Sequence, residues 1–191
     1  LKEVYIDGTS VTQLRLPDGG GLEVVEFNAL SQYLILRNYP LMTNSGVSIG
    51  QCKAAITDFL VQDCPLMKPV RLLVDVMQAQ SSQPDHALKH VRVVGFEEEY
   101  NGTEELYGLA RLADGTYTGL NSSGQDGDDD LPVLEGTLTV HARVDIFKKE
   151  RLNELFPKLV IHADEIYTPK TRITFTGMAN HPVTGTLFSC N

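Results

Sequence analysis

The chain has 191 residues, 42% hydrophobic and 21% charged, enough apolar mass to bury one sizeable core; this argues against a disordered chain and predicts a single domain over residues 1–191. Its 25 acidic residues outnumber 16 lysines and arginines for a net charge of −9, and the longest basic run is Lys148-Lys149, with Arg151 just beyond, so nucleic acid is not an expected partner. No apolar stretch approaches the roughly 20 residues needed to span a bilayer.

In chain order, Asp7-Gly8 and the segment from Pro17 to Gly21 punctuate three strand-like runs, which predicts a β-meander that could form an N-terminal sub-lobe over residues 1–48. Leu30 to Arg37 fits a helix or a buried strand equally well, and Pro40 ends it in either case. Residues 50–62 place Ala54, Ala55, Ile56, Phe59 and Leu60 on one side and Lys53 and Asp58 on the other, the pattern of an amphipathic main helix. After Pro65 and Pro69, the run from Val70 to Gln80 is apolar on both faces, as in a strand buried within a sheet.

Leu88 to Tyr100, Glu105 to Leu120 with a turn at Asp114-Gly115, and Val133 to Phe147 all read as strands. Residues 148–156 place Leu152, Leu155 and Phe156 on one face of a short helix. Strand-like runs from Lys158, Thr171 and Val183 follow. No internal repeat stands out. The expected fold is α+β and β-dominated, a mostly antiparallel sandwich or partly rolled barrel with one main helix at 50–62 and a short one at 148–156.

Cys52, Cys64 and Cys190 have no metal-ligand spacing and cannot all pair. Cys52 and Cys64 would flank the main helix, too far apart for a disulfide, so reduced thiols are expected. Asn101-Gly102-Thr103 and Asn121-Ser122-Ser123 have the glycosylation sequence, a short pattern that carries little by itself. The chain opens on Leu1 rather than Met, as a trimmed or processed piece would, and it is expected to be soluble, with its compartment open.

Asp126, Asp128 and Asp130, with Glu135 nearby, have the odd spacing with which a tight loop turns carboxylates towards calcium. The helix–loop–helix pattern nevertheless fails at Leu131, where glycine belongs, and at Thr137, where glutamate belongs. The loop reads as a solvated turn before the next strand. Alternation in that strand puts Thr139, His141, Arg143 and Asp145 on one face; the next places His162 and Asp164 together, and Arg172 and Thr174 follow. His141, His162, Asp164 and Arg143 are therefore the candidate acid–base and anion-holding residues, although mixed charges paired across strands give an ordinary exposed sheet the same look. His86 and His90 have the i, i+4 spacing of a helical zinc site, but their segment is strand-like and no glutamate completes the motif. The run Glu97-Glu98-Glu99-Tyr100, with Glu104 and Glu105, makes an acidic patch around a turn at Asn101-Gly102, which guards a sheet edge or forms a rim for a basic partner.

There is no nucleophile elbow, phosphate loop or dinucleotide fingerprint, and no cofactor is expected. The expectation is a non-enzymatic binding or assembly module, such as a subunit of a larger particle or a domain of a larger protein, acting through protein contacts or self-association into a homo-oligomer. The alternative is an enzyme or small-ligand binder. The helix at 50–62, the long strands after it, and the closing segment from Leu159 to Cys190 with Gly185-Thr186-Leu187-Phe188 resemble the hot-dog acyl-thioester enzymes in architecture. That resemblance implies a sheet rolled around the main helix and acid–base chemistry on an acyl substrate, with His162 and Asp164 as the acid–base pair.

Overall fold

The structure is a computed structural model and describes residues 1–7, 15–28, 31–82, 87–113 and 132–170. Alternating apolar residues make strands of β1 (Glu3–Asp7), β2 (Val24–Asn28), β3 (Tyr33–Arg37), β4 (Val47–Ser48) and β5 (Asp58–Gln62). Three helices then alternate with three longer strands: α1 (Pro69–Gln80), β6 (His90–Tyr100), α2 (Glu104–Ala113), β7 (Val133–Asp145), α3 (Ile146–Leu155) and β8 (Leu159–Tyr167). The strands form a sheet of order β1-β2-β4 and a second of order β3-β5-β6-β7-β8, and every pairing is parallel.

This is a parallel α/β arrangement, which overturns the expected antiparallel sandwich, the rolled barrel and the hot-dog-like scaffold. A parallel pair needs a crossover between its strands, and here strand, turn or helix supplies it. The main helix expected at 50–62 is a 3₁₀ turn at Gly50–Ala54 followed by β5. The strand expected after Pro69 is α1, whose exposed Arg71, Asp75 and Gln78 fall at helical spacing while Val70, Leu72, Leu73, Val74, Val76 and Met77 are buried. The strand expected over 105–120 begins as α2. The meander expected over residues 1–48 is likewise parallel where described. The expected short helix is present as α3, opened by the Asp145 carboxylate accepting from Phe147 N–H at 2.8 Å.

The five-stranded sheet is built as a stack of like coils. Leu34 pairs with Phe59 and Phe59 with Val91, while Leu36, Val61, Val93 and Leu134 form a second inward row. All are buried. The chain enters the left-handed region at Asn38 (φ 56°) and Asp63 (53°), directly after β3 and β5, and also at Gly19 (80°) and at Gly95 (74°) within β6. These corners are stitched together: Gly19 N–H donates to Arg37 O at 2.9 Å, Asn38 to Gln62 O at 3.0 Å and Asp63 to Val94 O at 3.1 Å. A Cβ on Gly95 would lie 2.6 Å from Asp63 Oδ1, so this corner requires glycine on both conformational and steric grounds.

The repeat is visible in the sequence once the register is known. Asn38-Tyr39-Pro40-Leu41-Met42 and Asp63-Cys64-Pro65-Leu66-Met67 occupy equivalent places in successive coils, an internal repeat that contradicts the expectation of none. Cys52 and Cys64 are both buried thiols without a disulfide, and burial pushes the Cys64 thiol upward. Cys190 lies outside the described residues.

Behind the sheet, α1 packs on β6, α2 on α1 and α3, and α3 on β7 and β8. The α1–α2 contact depends on Gly108, where a Cβ would come within 2.7 Å of both Val74 methyls. The buried Gln80 amide ties the coils together, donating to Lys53 O and Ile56 O at 2.9 Å and accepting from Leu88 N–H at 2.8 Å. Strands stack at about 4.8 Å while packed helices need roughly 8–10 Å, so a stack of this kind bends with its uncovered sheet face on the inner side.

Candidate functional site

The uncovered face of β5 to β8 carries the site. Gly95 inserts a bulge in β6 between Val94 and Phe96, which restores the alternation so that Phe96, Glu98 and Tyr100 point inward and Glu97 and Glu99 outward. Register then sets two outward rows: Glu97 beside Thr137 beside Val160, and Glu99 beside Thr139 beside His162. Because β5 ends at Gln62 while β6 runs on to Tyr100, the turn from Asp63 to Lys68 stands as a wall along the second half of β6.

Between wall and strands lie two open hollows of about 710 and 700 Å³ that share Pro65, Glu97 and Thr137. Together they form one trough. Asp63, Glu97, Glu99 and Glu135 line it, and Leu66 stands 56% exposed on its rim. Its lysines are engaged: Lys158 Nζ lies 3.1 Å from Glu135 Oε2, and Lys68 Nζ donates to Glu99 O at 3.3 Å and lies over the Tyr100 ring. The trough thus keeps a surplus of carboxylates at Asp63, Glu97 and Glu99.

Glu98, between the two outward glutamates, has a different fate. It stands in an inward row with Leu138 and Ile161 and is 2% exposed. Its Oε1 accepts from Val70 N–H at 2.8 Å, capping α1 from the neighbouring strand where Lys68, at the helix's own cap position, makes no side-chain capping bond. Burial dominates and pushes the Glu98 carboxyl up to about 8, against the lowering effect of the Val70 and Arg71 N–H groups and Lys68. Glu98 Oε2 and Tyr100 Oη find no partner among the described residues. Arg71, 2.6 Å from Glu105 and over the Tyr100 ring, closes this cluster on the helix side.

Two of the candidates read from the sequence meet. His141 Nδ1 lies 3.3 Å from Asp164 Oδ1, with Glu99 Oε1 3.7 Å from its Nε2. Arg143 instead pairs with Glu165 at 3.5 Å and stacks over Tyr167. His162 lies beside Thr139 in the trough, apart from the His141 pair. Glu135 faces Lys158 rather than an acidic cage, and Asp126, Asp128, Asp130, His86, Arg172 and Thr174 lie outside the described residues. His90 begins β6, so it has no helical partner position. No cluster of three potential metal ligands occurs among the described residues.

Sequence reasoning missed the wall at 63–68 and the division of labour within Glu97-Glu98-Glu99, which lies on the expected strand, just before the bend at residues 101–103. The signals were the repeated Pro-Leu-Met after β3 and β5 and the bulge-forming Gly95. No family model, curated protein or solved structure matches the chain. No described helix is long and apolar enough to cross a membrane.

Proposed function

We propose that this is a binding module of stacked-repeat type that recognises a protein partner on the uncovered face of its five-stranded sheet. One observation carries the reading: every outward row from β3 to β8 is uncovered by the described helices, while the inward rows are filled by the core. Stacks of this kind present extended inner surfaces on which a partner's side chains meet residues from several repeats at once. The trough supplies what a recognition surface needs, an apolar rim at Pro65 and Leu66 and polar groups at fixed spacing.

The His141–Asp164 pair favours an acid–base role by distance alone. Its setting argues otherwise, because His141 is 43% and Asp164 61% exposed on an open sheet, where a charge pair is strongly solvated. Both fit better as members of the recognition face.

Peptides selected from a random display library on the intact protein test the reading. Binding of most selected peptides should be lost on Thr139→Arg, which fills the trough floor, and kept on Gln78→Arg, on the exposed side of α1. The reverse pattern would place the binding surface on the helices.

A further inference from the structure

Resting on the sheet-face reading, we infer that the trough accepts an extended, basic polypeptide segment with cationic side chains at alternate positions. The argument starts from spacing. Glu97 and Glu99 are two residues apart on one strand and both point outward, which separates their Cα atoms by roughly 6.6 Å. An extended chain laid along β6 repeats its side chains at that same interval, so residues i and i+2 of a partner meet Glu97 and Glu99 together. A helical partner does not, since its neighbouring side chains on one face are three or four apart.

Charge selects the sign. Neither Glu97 nor Glu99 has a lysine or arginine among the ion pairs of the described residues, whereas Glu105, Glu135, Glu154 and Glu165 each do. Asp63 adds a third carboxylate at the mouth. His141 approaches Glu99 only at 3.7 Å. A chain of net charge −9 that leaves its trough acidic repels phosphate and carboxylate partners and draws cationic ones.

Shape completes the assignment. The trough runs from Glu135 past Thr137 to Thr139 along β7 and from Val94 to Glu99 along β6, roughly 13–17 Å of strand, the reach of about four or five extended residues. The Thr137 and Thr139 side chains are half-buried at its floor. On the rim, Leu66 and Pro65 are exposed, and their counterparts one coil earlier, Leu41 and Pro40, are exposed too. Apolar residues between the partner's cations have this ridge to lie against.

Two fluorescein-labelled ten-residue peptides test it by anisotropy. One carries arginine at three alternate positions with leucine and serine between; the other has glutamine in place of each arginine. The arginine peptide should bind the wild-type protein, lose about tenfold in affinity to the Glu97→Gln/Glu99→Gln double variant and weaken steeply with salt. The Asp75→Asn/Glu150→Gln variant, which removes the same charge on the helix side, should bind it as wild type does. Equal affinity for both double variants, no binding by the wild type, or equally tight binding of the glutamine peptide overturns the inference. So does a concentration-dependent dimer that the Glu97→Gln/Glu99→Gln change disperses, which would give the trough to a second copy of the chain. The sheet-face reading fails on a separate result, the insensitivity of display-selected peptides to Thr139→Arg.

Discussion

Glu97, Glu98 and Glu99 are consecutive on one strand, yet two are exposed acids on the uncovered face and the middle one is a helix cap inside the core. Two-residue periodicity alone separates them. On the uncovered face the carboxylates meet water and weak partners, so they are available to a ligand; on the helix side the same group is desolvated and fixed by the α1 backbone. The general lesson is that a charge run on a strand is two surfaces interleaved, and its net charge describes neither.

The largest effect that sharpens this contrast comes from the inward row. Leu138→Ala, at a fully buried position, should cost about 2–5 kcal/mol in denaturant unfolding, while Thr139→Ala beside it should change stability by less than about 0.5 kcal/mol. Similar losses from both would break the two-faced description.

Next comes Glu98→Gln. The folded carboxyl sits at about 8, above its ordinary value of 4.5, so the native state holds the proton more tightly than the unfolded chain. That stabilisation is fully present below about pH 4.5 and is lost as pH rises through about 8. The substituted amide keeps an acceptor for Val70 N–H and never ionises. The variant's melting temperature should match wild type near pH 5 and exceed it by roughly 5 °C at pH 9. An equal difference at both pH values would remove burial of charge as the cause.

For the outward pair, Glu97→Gln/Glu99→Gln should leave unfolding within about 0.5 kcal/mol of wild type while weakening the arginine peptide, separating recognition from stability on a single strand. The smallest effect belongs to Asp164→Asn, which weakens the exposed pair with His141; its stability change should be near the limit of measurement, under about 0.5 kcal/mol. A loss of several kcal/mol would show that this pair anchors β7 to β8.

The alternation of β6 to β8 was readable because inward residues such as Leu138, Val140 and Val144 alternate with Thr139, His141 and Arg143 in the sequence itself. The meeting of His141 with Asp164 was likewise within reach, since it needs only that adjacent strands pair. Parallel pairing was not, because it depends on where each crossover returns the chain, which no local pattern records. Helix α1 was misread because its buried sides include both the sheet and α2, leaving only Arg71, Asp75 and Gln78 to betray a helical period. Residues 50–62 erred the other way: Ala54, Ala55 and Ile56 imitate a helix stripe, but Phe59 and Val61 are the inward pair of a short strand. The calcium candidates Asp126, Asp128 and Asp130 belong to a part of the chain outside the described residues.

The left-handed corners at 19, 38, 63 and 95 are separated by 19, 25 and 32 residues, although backbone hydrogen bonds from Gly19, Asn38 and Asp63 each reach the residue just before the next. Pitch is therefore independent of contour length: the corner and its hydrogen bond to the next coil set the spacing, and the return path has only to bring the chain back. A turn and a two-residue strand do this between β3 and β5, and a twelve-residue helix between β5 and β6. Sequence can be inserted or exchanged on the far side of the molecule while the rows of the uncovered face stay in register, which makes the backing of this surface replaceable in a way that the surface is not.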